Sequence, residues 1–219
     1  MGIRIILFFV ISGALMLSRS VGDEMEQKKQ VAGAPLQLEV NLTVEEGQLL
    51  LVYKLKNTRS KPIYLFNILW DWDKKGDYVA AKAPVYSCLR QDGLFHLAKQ
   101  ILPLPRRRVV EARRIPFATK VDAGGEFSEK LQLPLPVEEY NPYFPAVDKS
   151  RYEVREAIGA IFTLQFIEEV QQLKITDTPL PPAVMLWHPN LFGHVEAVES
   201  KPKRIKIKVK KRLDEFEEF

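Results

Sequence analysis

The chain has 219 residues, of which 46% are hydrophobic and 27% charged, with 15 prolines, three histidines and a single cysteine. This balance excludes a disordered, collagen-like or disulfide-stapled chain, and the length allows a core to be buried without covalent staples. The formal charge of +4 is too small to argue for nucleic acid or a membrane surface as a general partner.

Residues 1–22 read as a signal peptide or an amino-terminal anchor. Arg4 supplies a positive start, and Ile5 to Leu17 is apolar apart from Ser12 and Gly13. That run is too short to cross a hydrocarbon layer of about 30 Å comfortably as a helix, and it matches the apolar core of a signal segment. Ser18, Ser20 and Gly22 offer small residues for cleavage, although no Ala-x-Ala is present. Loss of Arg4 and Arg19 with this segment lowers the net charge by two. Residues 23–34 are expected to form a flexible leader. The expected location is therefore exported, periplasmic or associated with the cell envelope. An exported chain with one cysteine points to a bacterial envelope.

From Leu36 the hydrophobic period is two. Leu36, Leu38, Val40, Leu42 and Val44 alternate with polar residues, which predicts a half-buried strand. Glu46-Gly47 marks a turn, after which Leu49, Leu51, Tyr53 and Leu55 continue one face. Asn57 to Pro62 reads as a polar loop, and Ile63 to Trp70 as a strand buried on both faces. Asp92-Gly93 predicts a hairpin between Val85–Gln91 and Leu94–Lys99. Ala123-Gly124-Gly125 is a turn, followed by a strand carrying Phe127, Leu131, Leu133 and Leu135 on one face. Pro134 and Pro136 end that strand or confine it to an edge. Val137 to Ser150 reads as a long loop, and Glu153 to Ala157 as a short helix. Ile158, Ala160, Phe162, Leu164 and Phe166 share a strand face. Pro179 to Pro182 breaks the chain, and Ile205, Ile207 and Val209 alternate with lysines in a final strand. Residues 100–120 carry no clear pattern. Many short strands between turn signals predict an all-β fold, an antiparallel immunoglobulin-like sandwich with long irregular loops, over 35–212. Residues 213–219 form an acidic tail.

The stretch from Leu49 to Trp70, with Asn57-Thr58-Arg59-Ser60-Lys61-Pro62 at its centre, resembles the strand-turn-strand region of bacterial immunoglobulin-like domains. Bacterial proteinase inhibitors of the BsuPI type are similar there, and so are periplasmic pilus chaperones, which have two sandwiches. The resemblance covers about a tenth of the chain and implies a fold rather than an activity. The basic pair and later donor strand of the chaperones are not found.

Three groups of residues are candidates for chemistry. Asp71, Asp73 and Asp77 with Gly76 have the spacing of a calcium loop, but Lys75 and Lys82 stand where oxygen ligands are needed. His96, His188 and His194 form no tight ligand pair, although the loop between His188 and His194 can bring those two together. Cys88 lies in an apolar run and reads as a small buried hydrophobe. No nucleophile, phosphate or dinucleotide motif is present. The expectation is accordingly no enzyme, no catalytic residue, no cofactor and no metal. Surfaces remain. Arg106-Arg107-Arg108 with Arg113-Arg114 is one basic cluster. Lys201 to Arg212 is another, which reads as a lysine-guarded edge strand or a docking stripe. Tyr140 to Pro145 is a lid or a contact patch. The sequence thus points to a non-enzymatic binding or structural module whose partner is another envelope protein or an anionic envelope component. A BsuPI-like inhibitor or a chaperone-like subunit binder is the alternative.

Overall fold

A computed structural model describes residues 36–144, 151–213 and 216–219. The expected signal segment and leader lie outside the described residues. In chain order the strands are β1 Gln37–Glu45, β2 Gln48–Lys56, β3 Ile63–Ile68, β4 Trp70–Trp72, β5 Tyr78–Ala80, β6 Tyr86–Leu89, β7 Leu94–Lys99 and β8 Phe117–Val121. They continue as β9 Glu126–Pro134, β10 Val137–Glu138, β11 Tyr152–Glu168, β12 Lys174–Asp177, β13 Val184–Trp187, β14 Val195–Glu199 and β15 Lys203–Arg212. Leu191–Gly193 forms a single 3-10 turn. The protein is all-β, as its alternation predicts.

One sheet has the order β1-β2-β9, antiparallel throughout. Glu46 and Gly47 both take positive φ, 47° and 76°, which is what a two-residue hairpin with the native twist requires. Pro134 sits at the end of β9, and β9 pairs with β2 alone, so the missing amide breaks no central ladder. The second sheet runs β10-β15-β11-β3-β8-β13-β12, with β7 and β14 also on β11 and β6 on β7. Its pairings are antiparallel except β7 with β11 and β10 with β15. The β4–β5 hairpin stands apart as a two-stranded ribbon.

The two main sheets face each other across one apolar layer. Leu42, Leu51, Leu55 and Leu133 come from the small sheet; Leu65, Phe95, Phe162, Phe166 and Ile207 come from the large one. Each large side chain removed from water this way contributes about 1.5–3 kcal/mol. The Asn57–Pro62 loop is fixed to this body by its own side chains. Asn57 is fully buried and its amide donates to the carbonyls of Lys61 and Val121. Arg59 grips Glu196 of β14 with two hydrogen bonds of 2.6 Å and stacks over Phe166.

β11 departs most from the sequence pattern. Glu153 to Ala157 is not a helix but the first third of this 17-residue strand. Pairing with β15 decides it: Glu153 stands opposite Lys211 and Glu156 opposite Lys208, and opposite charges on facing strands favour the ladder. A bulge between Ala157 and Gly159 then shifts the register. It turns Ile158 out, 66% exposed, while Ala160, Phe162, Leu164 and Phe166 stay buried. The expected strand over Ile63 to Trp70 is likewise divided, ending at Ile68 before Trp70 opens the β4–β5 hairpin. The patternless stretch 100–120 holds most of β8; β12 precedes the proline-rich break, and β13 and β14 follow it.

The aromatic loop is a lid. Tyr143 is 9% and Phe144 4% exposed; they pack with Leu69, Tyr86 and Leu102 over one end of the sandwich. Pro145 lies outside the described residues. Phe216 and Phe219 join the same cluster, so these tail residues are packed on the body. Cys88 is fully buried, and burial pushes its thiol up to about 12, as befits a small hydrophobe.

Two predictions follow from this packing. At Gly159 an added Cβ would lie 2.8 Å from the Lys203 carbonyl and 3.0 Å from Leu94. Gly159→Val is therefore expected to cost about 1–3 kcal/mol by overpacking, read as a lower urea midpoint at unchanged slope; a wild-type midpoint would show that the bulge yields freely. His96 is buried in β7, its ring nitrogens 2.8 Å from the Thr163 hydroxyl and 2.9 Å from the Phe219 carbonyl. Burial holds its imidazole below the ordinary range. The unfolded chain, with its imidazole near about 6.5, then binds the extra proton first. The His96 contribution is complete above that value and is lost as pH falls through it. Unfolding midpoints measured between about pH 7.5 and about pH 5.5 should fall less steeply in His96→Gln than in the wild type; equal slopes would place the titration elsewhere.

Candidate functional site

Of the calcium-spaced carboxylates, Asp71 lies in β4, and Asp73 and Asp77 lie in the β4–β5 turn. Asp73 accepts hydrogen bonds from the amides of Lys75 and Asp77 at 2.8 and 3.0 Å, and Asp71 accepts from Arg114 at 3.1 Å. This is a side-chain-stabilised turn, with Gly76 at φ 87°. His188 and His194 do meet, their rings edge-on at 4.7 Å. Both nitrogens of His188 are already engaged: Nδ1 accepts from the Asn190 amide and Nε2 faces the Gln171 carbonyl. No group of three or more metal-ligating side chains is assembled among the described residues, and no helix among them is long and apolar enough to cross a membrane.

The final strand places its lysines as the alternation implies. Lys206 and Lys208 are exposed while Ile207 and Val209 are fully buried. Lys206 pairs with Glu156 on β11, and Lys203 reaches Asn41 on β1. β10 covers only Val209 and Lys210, so cationic side chains flank the outer edge of β15.

The arginine cluster at 106–114 is a different kind of surface. Its loop runs beside the β4–β5 hairpin and the 188–194 loop. Trp70 is the support: it stacks on Phe117 of β8 at 5.6 Å and donates its indole N–H to the Ile115 carbonyl at 2.7 Å. Trp72 and Tyr78 pack beside it. Arg114 lies over Trp70 and Trp72, 5.6 and 5.1 Å from the ring centroids. Its neighbour Arg113 lies over Phe192 at 4.4 Å. Two consecutive arginines thus join the hairpin's tryptophans to the 3-10 turn. Trp72 is 47% and Phe192 51% exposed. Such side chains present large apolar area with little rotamer freedom left to lose, and guanidinium groups over them hold a fixed charge nearby. Arg106 and Arg107 belong to a neighbouring groove of roughly 600 Å³, where their amides donate to Glu217.

A second constellation lies between the sheets. Glu129 occupies the inward parity of β9, between Phe127 and Leu131. Lys99 follows Phe95 and Leu97 on the core face of β7. Asn67 follows Ile63 and Leu65 on β3, at a bulge where the register with β8 shifts. Lys99 is 2% exposed. Its Nζ donates to both Glu129 oxygens at 2.8 Å and to the Asn67 main-chain carbonyl at 2.7 Å. The Tyr53 hydroxyl donates to Glu129, directly across the β2–β9 ladder. The Asn67 side-chain oxygen is buried without a partner. Burial lowers the proton affinity of Lys99, with Glu129 opposing it, and burial together with Glu129 raises the Tyr53 hydroxyl well above its usual range. None of the sequence candidates includes these residues. The available signal was polar side chains at apolar positions of the alternation.

No protein-family model, no curated protein and no solved structure matches this chain. The immunoglobulin-like resemblance therefore rests on the Leu49 to Trp70 stretch.

The buried ion pair has a measurable cost when half of it is removed. Lys99→Met leaves Glu129 without its cation and is expected to lose about 3–5 kcal/mol. Lys99→Met with Glu129→Leu should regain much of that loss. Denaturant unfolding of the three proteins checks this; a double variant as unstable as the single one would show that packing, not charge, dominates.

Proposed function

We propose that this protein is a non-enzymatic binding module of the bacterial envelope, exported by its amino-terminal segment. Its contact surface is the face carrying Trp72, Arg113, Arg114 and Phe192. The observation that carries the assignment is the pair of half-exposed aromatic rings bridged by consecutive arginines. Aromatic and arginine side chains dominate binding energy at protein interfaces. Here they stand on a hairpin and a short turn, both braced against β8 through Trp70 and Ile115, so little order has to be gained on binding. The cationic rim selects a partner protein with an acidic, partly apolar patch. A chaperone-like subunit binder, which needs a cleft between two sandwiches, is the less favoured reading, since the described residues gather into one compact unit.

The test is retention of envelope proteins from the source organism on the immobilised protein. Wild type is expected to retain an acidic protein that elutes as salt is raised, since exposed charges are screened over about 8–10 Å at moderate ionic strength. Trp72→Ala with Phe192→Ala should weaken that binding by at least about 2 kcal/mol, roughly thirtyfold in Kd. Lys206→Ser with Lys208→Ser, on β15, should leave it intact. Equal retention by the aromatic variant, or loss only in the β15 variant, would move the contact surface away from this face.

A further inference from the structure

We infer that Lys99 and Asn67 become joined by an intramolecular amide bond between their side chains, with Glu129 carrying the protons. Three observations converge on this modification site. An amine and a carboxylate meet at the main chain of Asn67 in the apolar layer, and all three residues stand at positions that alternation reserves for a hydrophobic side chain. The amine is held at residue 67 itself, 2.7 Å from its main-chain oxygen, and at 2.8 Å from both oxygens of a carboxylate. The carboxamide oxygen has no hydrogen-bond partner although it is buried, so Asn67 is not explained as an ordinary satisfied core polar group.

The surroundings suit the chemistry. A primary amine attacks a carbonyl only as the neutral form, and desolvation favours that form. Burial acts on Lys99 in this direction. Phe162 and Phe127 flank Tyr53 at 4.8 and 6.0 Å and help keep water from the reacting groups. Holding the partners together in the folded state removes the translational cost that makes the reaction slow between free molecules.

The steps balance without any co-reactant. The Lys99 ammonium gives one proton to the Glu129 carboxylate. Its freed electron pair attacks Cγ of Asn67, forming the C–N bond and moving the carbonyl pair onto Oδ1. Glu129 returns its proton to Nδ2, the Cγ–Nδ2 bond breaks as the carbonyl re-forms, and ammonia leaves. Glu129 takes the second proton from Nζ and releases it to solvent or to the departing ammonia. One amide replaces another; nothing is oxidised or reduced. Glu129 is partly exposed, which gives the proton a route out.

The bond would close a loop between residues 32 apart in sequence. That loop carries the β4–β5 hairpin, so the covalent link would hold the base of the segment bearing Trp72. The inference is independent of the binding assignment: it concerns the interior, and its readout is covalent.

Peptide mapping of the purified wild-type protein by mass spectrometry tests it. The expected result is a branched peptide joining the segment with Asn67 to the segment with Lys99, lighter than the two together by one ammonia. After denaturation Lys99 should resist acetylation while other lysines react. Glu129→Gln is expected to abolish the branched peptide and restore acetylation at Lys99. Two separate wild-type peptides, with Lys99 acetylated after unfolding, would overturn the proposal and leave an ion pair that caps the β3 bulge. The wild-type measurement alone decides between these outcomes, whether or not the Gln variant folds.

Discussion

Strand β11 sets the constraint on which the large sheet depends. A 17-residue strand passing through the interior has backbone donors and acceptors on both edges, and buried ones must find partners. No single neighbour spans its length. One edge is served by β15 over its first half and by β14 over its second. The other is served by β7, running parallel, and by β3, running antiparallel. β7 and β3 approach along the same edge from opposite directions, with Lys99 facing Leu164 and Leu65 facing Phe166. That meeting point is where Asn67 and Lys99 come together. The polar cluster is thus a product of how the edge of β11 is filled.

Small-sheet pairing supplies the remaining member. Glu129 stands opposite Tyr53 because β2 and β9 pair in register across nine residues. The same register buries Leu131 and Leu133, so a one-residue slip would expose the core side of β9 as it removed the carboxylate from the lysine. Hydrophobic alternation and ion pairing enforce the same alignment. The arginine face is less deeply tied. It depends on Trp70, which closes the base of the β4–β5 ribbon against Phe117, and on the loop whose Ile115 carbonyl accepts the indole proton.

Much of the sandwich was legible in the sequence because period-two alternation is written on β1, β2, β9 and β15, and because Gly47 marks the β1–β2 turn and Gly93 the β6–β7 turn. The Ile158 face was not, since the hydrophobic alternation runs on through the bulge and only the approach of the Lys203 carbonyl to Gly159 reveals the shift. The apparent helix at Glu153 to Ala157 lost to a partner strand some fifty residues away, information that no local pattern holds. At the sites, the arginines of 106–114 were visible as a cluster, but their aromatic partners Trp72 and Phe192 come from strand β4 and from the 3-10 turn. Glu129 and Lys99 were visible as polar residues on apolar faces; that they face one another required the register of both sheets.

The path of the chain also orders events during synthesis. β1 and β2 form a local hairpin that can close as soon as it is made, whereas β15, which pairs along the first half of β11, is translated only after β11 and β14. Until residues 203–212 emerge from the ribosome, that half of β11 presents an open edge beside exposed Ala157 and Ala160, and such edges recruit strands from other chains. The dense cationic run of β15 then arrives next to Glu153 and Glu156, whose charges guide this pairing into register. The lysines that solvate the finished surface thereby also select the correct closing partner for a half-made sheet.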